Sequence, residues 1–188
     1  MLDAVLERFT VKIRITIKSA VSLLCIILAV ALPQLAHIAV GAPAGITWLP
    51  MFLPVLLSGC LLGYAWGLGV GILSPVFSYG FTTLALGNAM PALGRLPFMA
   101  LELAVFGLVS GLFAKKITQN SLYAFPAVIV AQLCGRTVNV ISGLIAGQNI
   151  TAIWNVIQAG LIGLYSQAII VPVIVIILAK VIKNDDAQ

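Results

Sequence analysis

Two ionisable side chains stand inside apolar runs of this chain. Glu102 lies in "RLPFMALELAVFGLVSGLFA" and Arg136 in "AVIVAQLCGRTVNVISGLIAG". If those runs cross a bilayer, each charge costs on the order of 2.5–3.5 kcal/mol at the centre and needs a partner or a ligand to offset it. A guanidinium suits a carboxylate or another anion, which it can hold with two parallel N–H bonds. Polar residues accompany both charges. Gln132, Arg136 and Asn139 follow at i, i+4 and i+7, and Asn155, Gln158 and Tyr165 at i, i+3 and i+10. On helices each set makes one stripe. The chemistry this allows is binding.

Catalysis is a poor fit. The chain has one histidine, His37, and no HExxH, GxSxG or Walker A motif. Cys25, Cys60 and Cys134 are isolated, with no CxxC spacing, so neither a zinc site nor a disulfide framework is indicated. We therefore expect no enzyme activity of its own, no catalytic residue, no metal and no cofactor. For Glu102 and Arg136 two roles stay open: an interhelical ion pair that fixes packing, or a ligand site anchored on the arginine.

The elements that must position these residues are membrane helices. Of 188 residues, 62% are hydrophobic and 8% charged, against roughly 25% charged in a soluble domain. A span needs ~20 mostly apolar residues. Six segments approach this, at about 17–40, 48–65, 66–84, 95–114, 121–146 and 151–182. The expected fold is an all-α, six-helix membrane bundle forming a single domain over 1–188. Pro54 and Pro75 mark the second and third segments as kinked or partly re-entrant. A signal peptide is the alternative for the start, but the apolar stretch from Ser19 to Val40 exceeds a typical h-region, so the first helix is expected to stay. Residues 1–16 place Leu2, Val5, Leu6, Phe9 and Ile13 at helical spacing among basic residues. That suits a helix on the cytoplasmic membrane surface or a plain basic tail.

The charge distribution orients the bundle. Arg8, Lys12, Arg14 and Lys18 precede the first segment, Lys115 and Lys116 separate the fourth and fifth, and Lys180 and Lys183 end the sixth. With both termini cytoplasmic all eight lie inside, and Arg95 falls outside. The net charge of +5 is thus a topology signal, and no nucleic-acid partner is expected. The outer loops, 37–50 and 84–97, are rich in Gly, Pro and apolar residues, the make-up of a lid over a site or of an interfacial loop with Trp48 as a belt residue. Asn88, Arg95 and Trp48 in these loops therefore join Glu102, Gln132, Arg136, Asn139, Asn155, Gln158 and Tyr165 as candidate substrate-binding residues. Gly59, Gly63, Gly67 and Gly71, with Gly107 and Gly111, and Gly143 and Gly147, recur every four residues, a spacing that lets helix backbones approach closely.

Four stretches carry a family resemblance: "LPMFLPVLLSGCLLGYAWGLGVGILSPVFS", "AMPALGRLPFMALELAVFGLVSGLF", "CGRTVNVISGLIAG" and "GLIGLYSQAIIVPVIVIILAK". In order and spacing, over about residues 20–180, they resemble the substrate-binding S component of an energy-coupling factor (ECF) transporter. The resemblance implies a multi-pass protein of the prokaryotic cell membrane. It would capture a water-soluble vitamin or related micronutrient in the outer half of the bundle, and work with a membrane coupling subunit and two ATP-binding subunits. It also implies a docking face on the first helix, often an Ala-xxx-Ala pattern, in whose place this chain has Ser22, Cys25 and Ala29. The competing expectation from the residues alone is a stand-alone secondary carrier or channel, for which paired repeats are missing.

Overall fold

A computed structural model describes residues 11–41, 44–87 and 90–185, and no strand occurs among them. Helix α1 (Val11–Val40) is followed by the short α2 (Ala44–Trp48), then α3 (Phe52–Leu62), α4 (Tyr64–Leu86) and α5 (Leu96–Leu112). After α6 (Ala114–Gln119) and a 3-10 turn (Ser121–Tyr123) come α7 (Ala124–Ile145), α8 (Ile150–Ala159) and α9 (Leu161–Asp185). Among the described residues four stretches are long and apolar enough to cross a bilayer: Val11–Ala39, Tyr64–Ala85, Ser121–Ile145 and Leu161–Val181. Their outward residues are apolar too, as with Leu23, Leu24 and Ile27 on α1 or Ile169, Val173 and Ile177 on α9. A helix that is apolar all round is either enclosed or faces lipid. The architecture is that of a helical multi-pass membrane protein.

Three expectations need correction. The first helix was expected from residue 17, after a separate surface segment. Instead α1 runs unbroken from Val11, so Ile13 belongs to it, while Leu2, Val5, Leu6 and Phe9 lie outside the described residues. The second segment is shorter than expected. At 11 residues, α3 is about 17 Å long, little more than half of a ~30 Å hydrocarbon core. The reason is its position: Val55, Leu56 and Cys60 are fully buried, so α3 is walled by protein and has no lipid thickness to match. Pro54 sits in its first turn, where a missing N–H is harmless, and α4 continues through Pro75. The sixth segment, expected to run unbroken, is interrupted at Gly160.

The glycine spacing acts as read where α3, α4 and α5 cross, but not at Gly143, which meets the Ile153 and Gln148 side chains, or at Gly147, which meets nothing within 4 Å. Gly63, at φ +94°, joins α3 and α4 in a one-residue reversal that few side chains tolerate. A Cβ on Gly67 would lie 2.3 Å from the carbonyl oxygen of Gly107, one on Gly71 2.3 Å from that of Leu103, and one on Gly111 2.4 Å from the Tyr64 backbone. The partner number falls as the glycine number rises, so α4 and α5 are antiparallel and touch backbone to backbone. Gly59 of α3 meets Gly107 and Ser110 at the same crossing. This three-helix knot fixes where α5 presents Glu102.

The stripe of Ser22, Cys25 and Ala29 also turns inward. All three are buried, and Cys25 and Ala29 belong to the same core cluster as Val55, Leu56 and Phe106. The expected docking face is therefore closed to another chain. Small residues on a helix serve its own bundle as readily as a partner.

Candidate functional site

The site begins with a packing chain. Gly135 of α7 leaves room for the Phe106 ring, whose Cε2 lies 3.0 Å from where a Cβ would stand. Phe106 in turn meets Phe52 edge-on, with centroids 5.0 Å apart. The next residue on α7, Arg136, then sets its guanidinium 5.6 Å from the centroid of Phe52, a cation–π distance.

Glu102, 3% exposed, faces that guanidinium from α5, with its Oε1 3.0 Å from Arg136 Nη1. Its other oxygen, Oε2, accepts a hydrogen bond from Asn139 Nδ2 at 2.8 Å. Arg136 and Asn139, one turn apart on α7, thus hold both oxygens of one carboxylate on α5. The Oε1–Nη1 contact is a charge contact without hydrogen-bond alignment. Among the described residues Oε1 has no hydrogen-bond partner, and neither do the buried Nε and Nη2 of Arg136.

This pair borders a cavity of about 380 Å³, within the range typical of small-molecule sites. Pro33, Gln34 and His37 line it from the end of α1, Leu49 to Phe52 from the start of α3, and Ser78 from α4. Phe98 and Met99 join Glu102 from α5, and Gln148, Ile153 and Val156 close it from the α7–α8 connection and α8. Both outer loops contribute, through Gly45 and Leu49 on one side and Met90, Pro91, Ala92 and Arg95 on the other. The second loop is pinned to α4: Thr82 Oγ1 accepts from the Met90 amide at 2.9 Å, and Ser78 Oγ donates to the Met90 carbonyl at 3.0 Å. These contributions come from the C-terminal ends of α1, α4 and α7 and the N-terminal ends of α3 and α5. The cavity therefore sits at one end of the bundle, away from Lys12, Lys115, Lys116 and Lys180.

Of the expected site residues, the structure brings Glu102, Arg136, Asn139 and Arg95 to this cavity. None of the other described ones lines it. Gln132 is buried and donates through Nε2 to the Leu164 carbonyl at 3.0 Å, tying α7 to α9. Asn155 and Gln158 are exposed on the outer face of α8, and Tyr165 is 70% exposed. All three are exposed and none lines the cavity, so the polar stripe they were expected to form does not reach the site. Trp48 is half exposed and offers only its carbonyl, which accepts from Gln167 Nε2 at 3.2 Å. Asn88 lies outside the described residues.

Sequence reasoning missed Gln34, His37, Phe52, Ser78 and Gln148. Pro33, Gln34 and His37 interrupt the apolar end of α1, and that interruption was the available signal. Phe52 carried none, since one aromatic ring in an apolar run looks like any other. The chain matches no protein-family model, no curated protein and no solved structure.

Proposed function

We propose that this protein is a substrate-binding membrane subunit, the S component of an ECF-type importer, and that the cavity beside Arg136 holds its cargo. The observation that carries this reading is the cavity itself. It is lined by both outer loops, contains a buried cation–carboxylate–amide cluster, and lies at the end opposite Lys12, Lys115, Lys116 and Lys180. Intramembrane ionisable residues mark substrate sites by default, and under the positive-inside rule the basic end is cytoplasmic, so the cavity faces outward. In this reading the chain crosses the membrane six times, through α1, α3, α4, α5, α7 and the broken pair α8–α9, with both termini inside. The cargo is a water-soluble vitamin or related micronutrient. A coupling subunit and two ATPases in a prokaryotic plasma membrane supply the energy that this chain has no motif to generate.

Purification from native membranes tests the proposal. The tagged chain should bring down a membrane coupling subunit and a pair of ATPases. Uptake by the purified chain alone in liposomes, without ATP, would instead identify a stand-alone carrier.

A further inference from the structure

A guanidinium offers a side-on edge, Nε with Nη2, that fits the two oxygens of a planar carboxylate. In Arg136, Glu102 engages Nη1, while both atoms of the side-on edge are buried and have no hydrogen-bond partner among the described residues. Buried donors of a charged group are rarely left so. The neighbours of that edge are also defined. A Cβ on Gly160 would stand 2.9 Å from Nη2 and 2.9 Å from Leu49 Cδ1, so Leu49, a cavity-lining residue, packs where the edge ends. Leu49 has φ +47°, a conformation uncommon for a residue with a side chain. Its carbonyl is held at 2.7 Å by Gln167 Nε2 from α9. Strained residues of this kind concentrate at ligand clamps and switches.

Resting on the reading of this cavity as a small-molecule site, we propose that its ligand is a small, mainly apolar monocarboxylate that takes the Nε–Nη2 edge of Arg136, with Leu49 as the residue that gives way. The charge of the lining selects one negative charge: the two guanidinium groups of Arg95 and Arg136 stand against one carboxylate, Glu102, among the described residues that line it. A phosphate ester, at about −1.5 to −2, overshoots that balance. The body of the ligand meets Met51, Phe52, Met90, Phe98 and Met99, an apolar surface in which the thioethers adapt to shape. Gln34 also lines the cavity, and its Nε2 is buried without a hydrogen-bond partner among the described residues. It supplies a second donor, for a carbonyl or hydroxyl oxygen on the ligand.

The test is to identify what the detergent-purified protein carries. Small molecules released on denaturation are compared by mass spectrometry between the wild type, Arg136→Lys and Gly160→Ala. Arg136→Lys keeps the cation but has no edge. Gly160→Ala keeps every charge, suits the φ of −88°, and sets a methyl against Nη2. The expected result is a monocarboxylate enriched with the wild type and reduced about tenfold or more in both variants, the scale of one charge-assisted hydrogen bond. An enriched compound without an acid group, or a carboxylate retained equally by Gly160→Ala, overturns the proposal and leaves the binding role standing. If nothing is carried, thermal shifts with arylalkanoic acids, their amides and their phosphonates decide. Stabilisation by the acids alone supports the proposal, and equal stabilisation by amides or phosphonates, or none by any, overturns it. The binding-subunit reading itself falls only if the coupling subunit and ATPases also fail to co-purify.

Discussion

Glu102 and Arg136 meet at 3.0 Å between α5 and α7, and Asn139 completes the carboxylate from the next turn. The pair is nearly closed to solvent, at 3% and 11% exposure. Removing one partner of such a pair leaves the other as an uncompensated buried charge. Glu102→Gln keeps the shape but not the charge, and we expect it to lower stability by about 3–5 kcal/mol. Thermal unfolding in detergent reads this out. Wild-type stability in the variant would mean that the pair does not hold α5 to α7.

The crossing of α4 and α5 allows a sharper contrast between two glycines. A Cβ on Gly107 would fall 2.1 Å from the Gly67 carbonyl oxygen, whereas one on Gly69 meets nothing within 4 Å. Gly107→Ala must push two backbones apart and should cost at least about 1–3 kcal/mol. Gly69→Ala should be neutral or stabilise by up to roughly 1 kcal/mol through helix propensity alone. Melting temperatures of the two variants in the same detergent should move apart, and a common shift would contradict the crossing.

These two cases show what the sequence could disclose. Charges in apolar runs are costly wherever they sit, so Glu102 and Arg136 were legible as a meeting point of two helices from the sequence alone. Four-residue glycine spacing was equally visible, because only backbone contact rewards it. The break at Gly160 was not, since a lone glycine in an apolar run also reads as packing. The stripe of Asn155, Gln158 and Tyr165 failed for a different reason: spacing puts residues on one side of a helix without saying which side is covered, and all three are exposed. Ser22, Cys25 and Ala29 were misread for a related reason, because smallness marks a close contact but not which helix makes it. Gln132 has the right spacing to Arg136, yet spends its side chain on the Leu164 carbonyl.

Gln167 gives a prediction about the rim of the cavity. It is 2% exposed, and its Nε2 donates to the carbonyls of Trp48 and Leu49 at 3.2 and 2.7 Å. Gln167→Ala leaves both carbonyls without this donor, and the positive φ of Leu49 loses its clamp. Stability should fall by roughly 1–3 kcal/mol. Hydrogen exchange should quicken first at Leu49 to Leu53, before α5 or α7 responds. Uniform acceleration across the bundle would show that the contact holds the fold rather than the rim.

The outward orientation of the cavity is open to direct chemical test. Leu93 lies in the second outer loop at 65% exposure, and Lys116 is exposed in α6 at the opposite end of the bundle. Cys25 and Cys60 are buried, and only Cys134 is partly accessible. In a chain with Cys134→Ser, a cysteine replacing Leu93 should react with a membrane-impermeant maleimide on intact cells. One replacing Lys116 should react only after the membrane is opened. The expectation follows from the excess of Lys and Arg at the α6 end, which the positive-inside rule holds in the cytoplasm. The reverse pattern would turn the cavity inward and remove the basis for uptake from outside. Labelling of both sites on intact cells would place the loop and α6 on the same side and would overturn the proposed passage of α5 across the membrane between them.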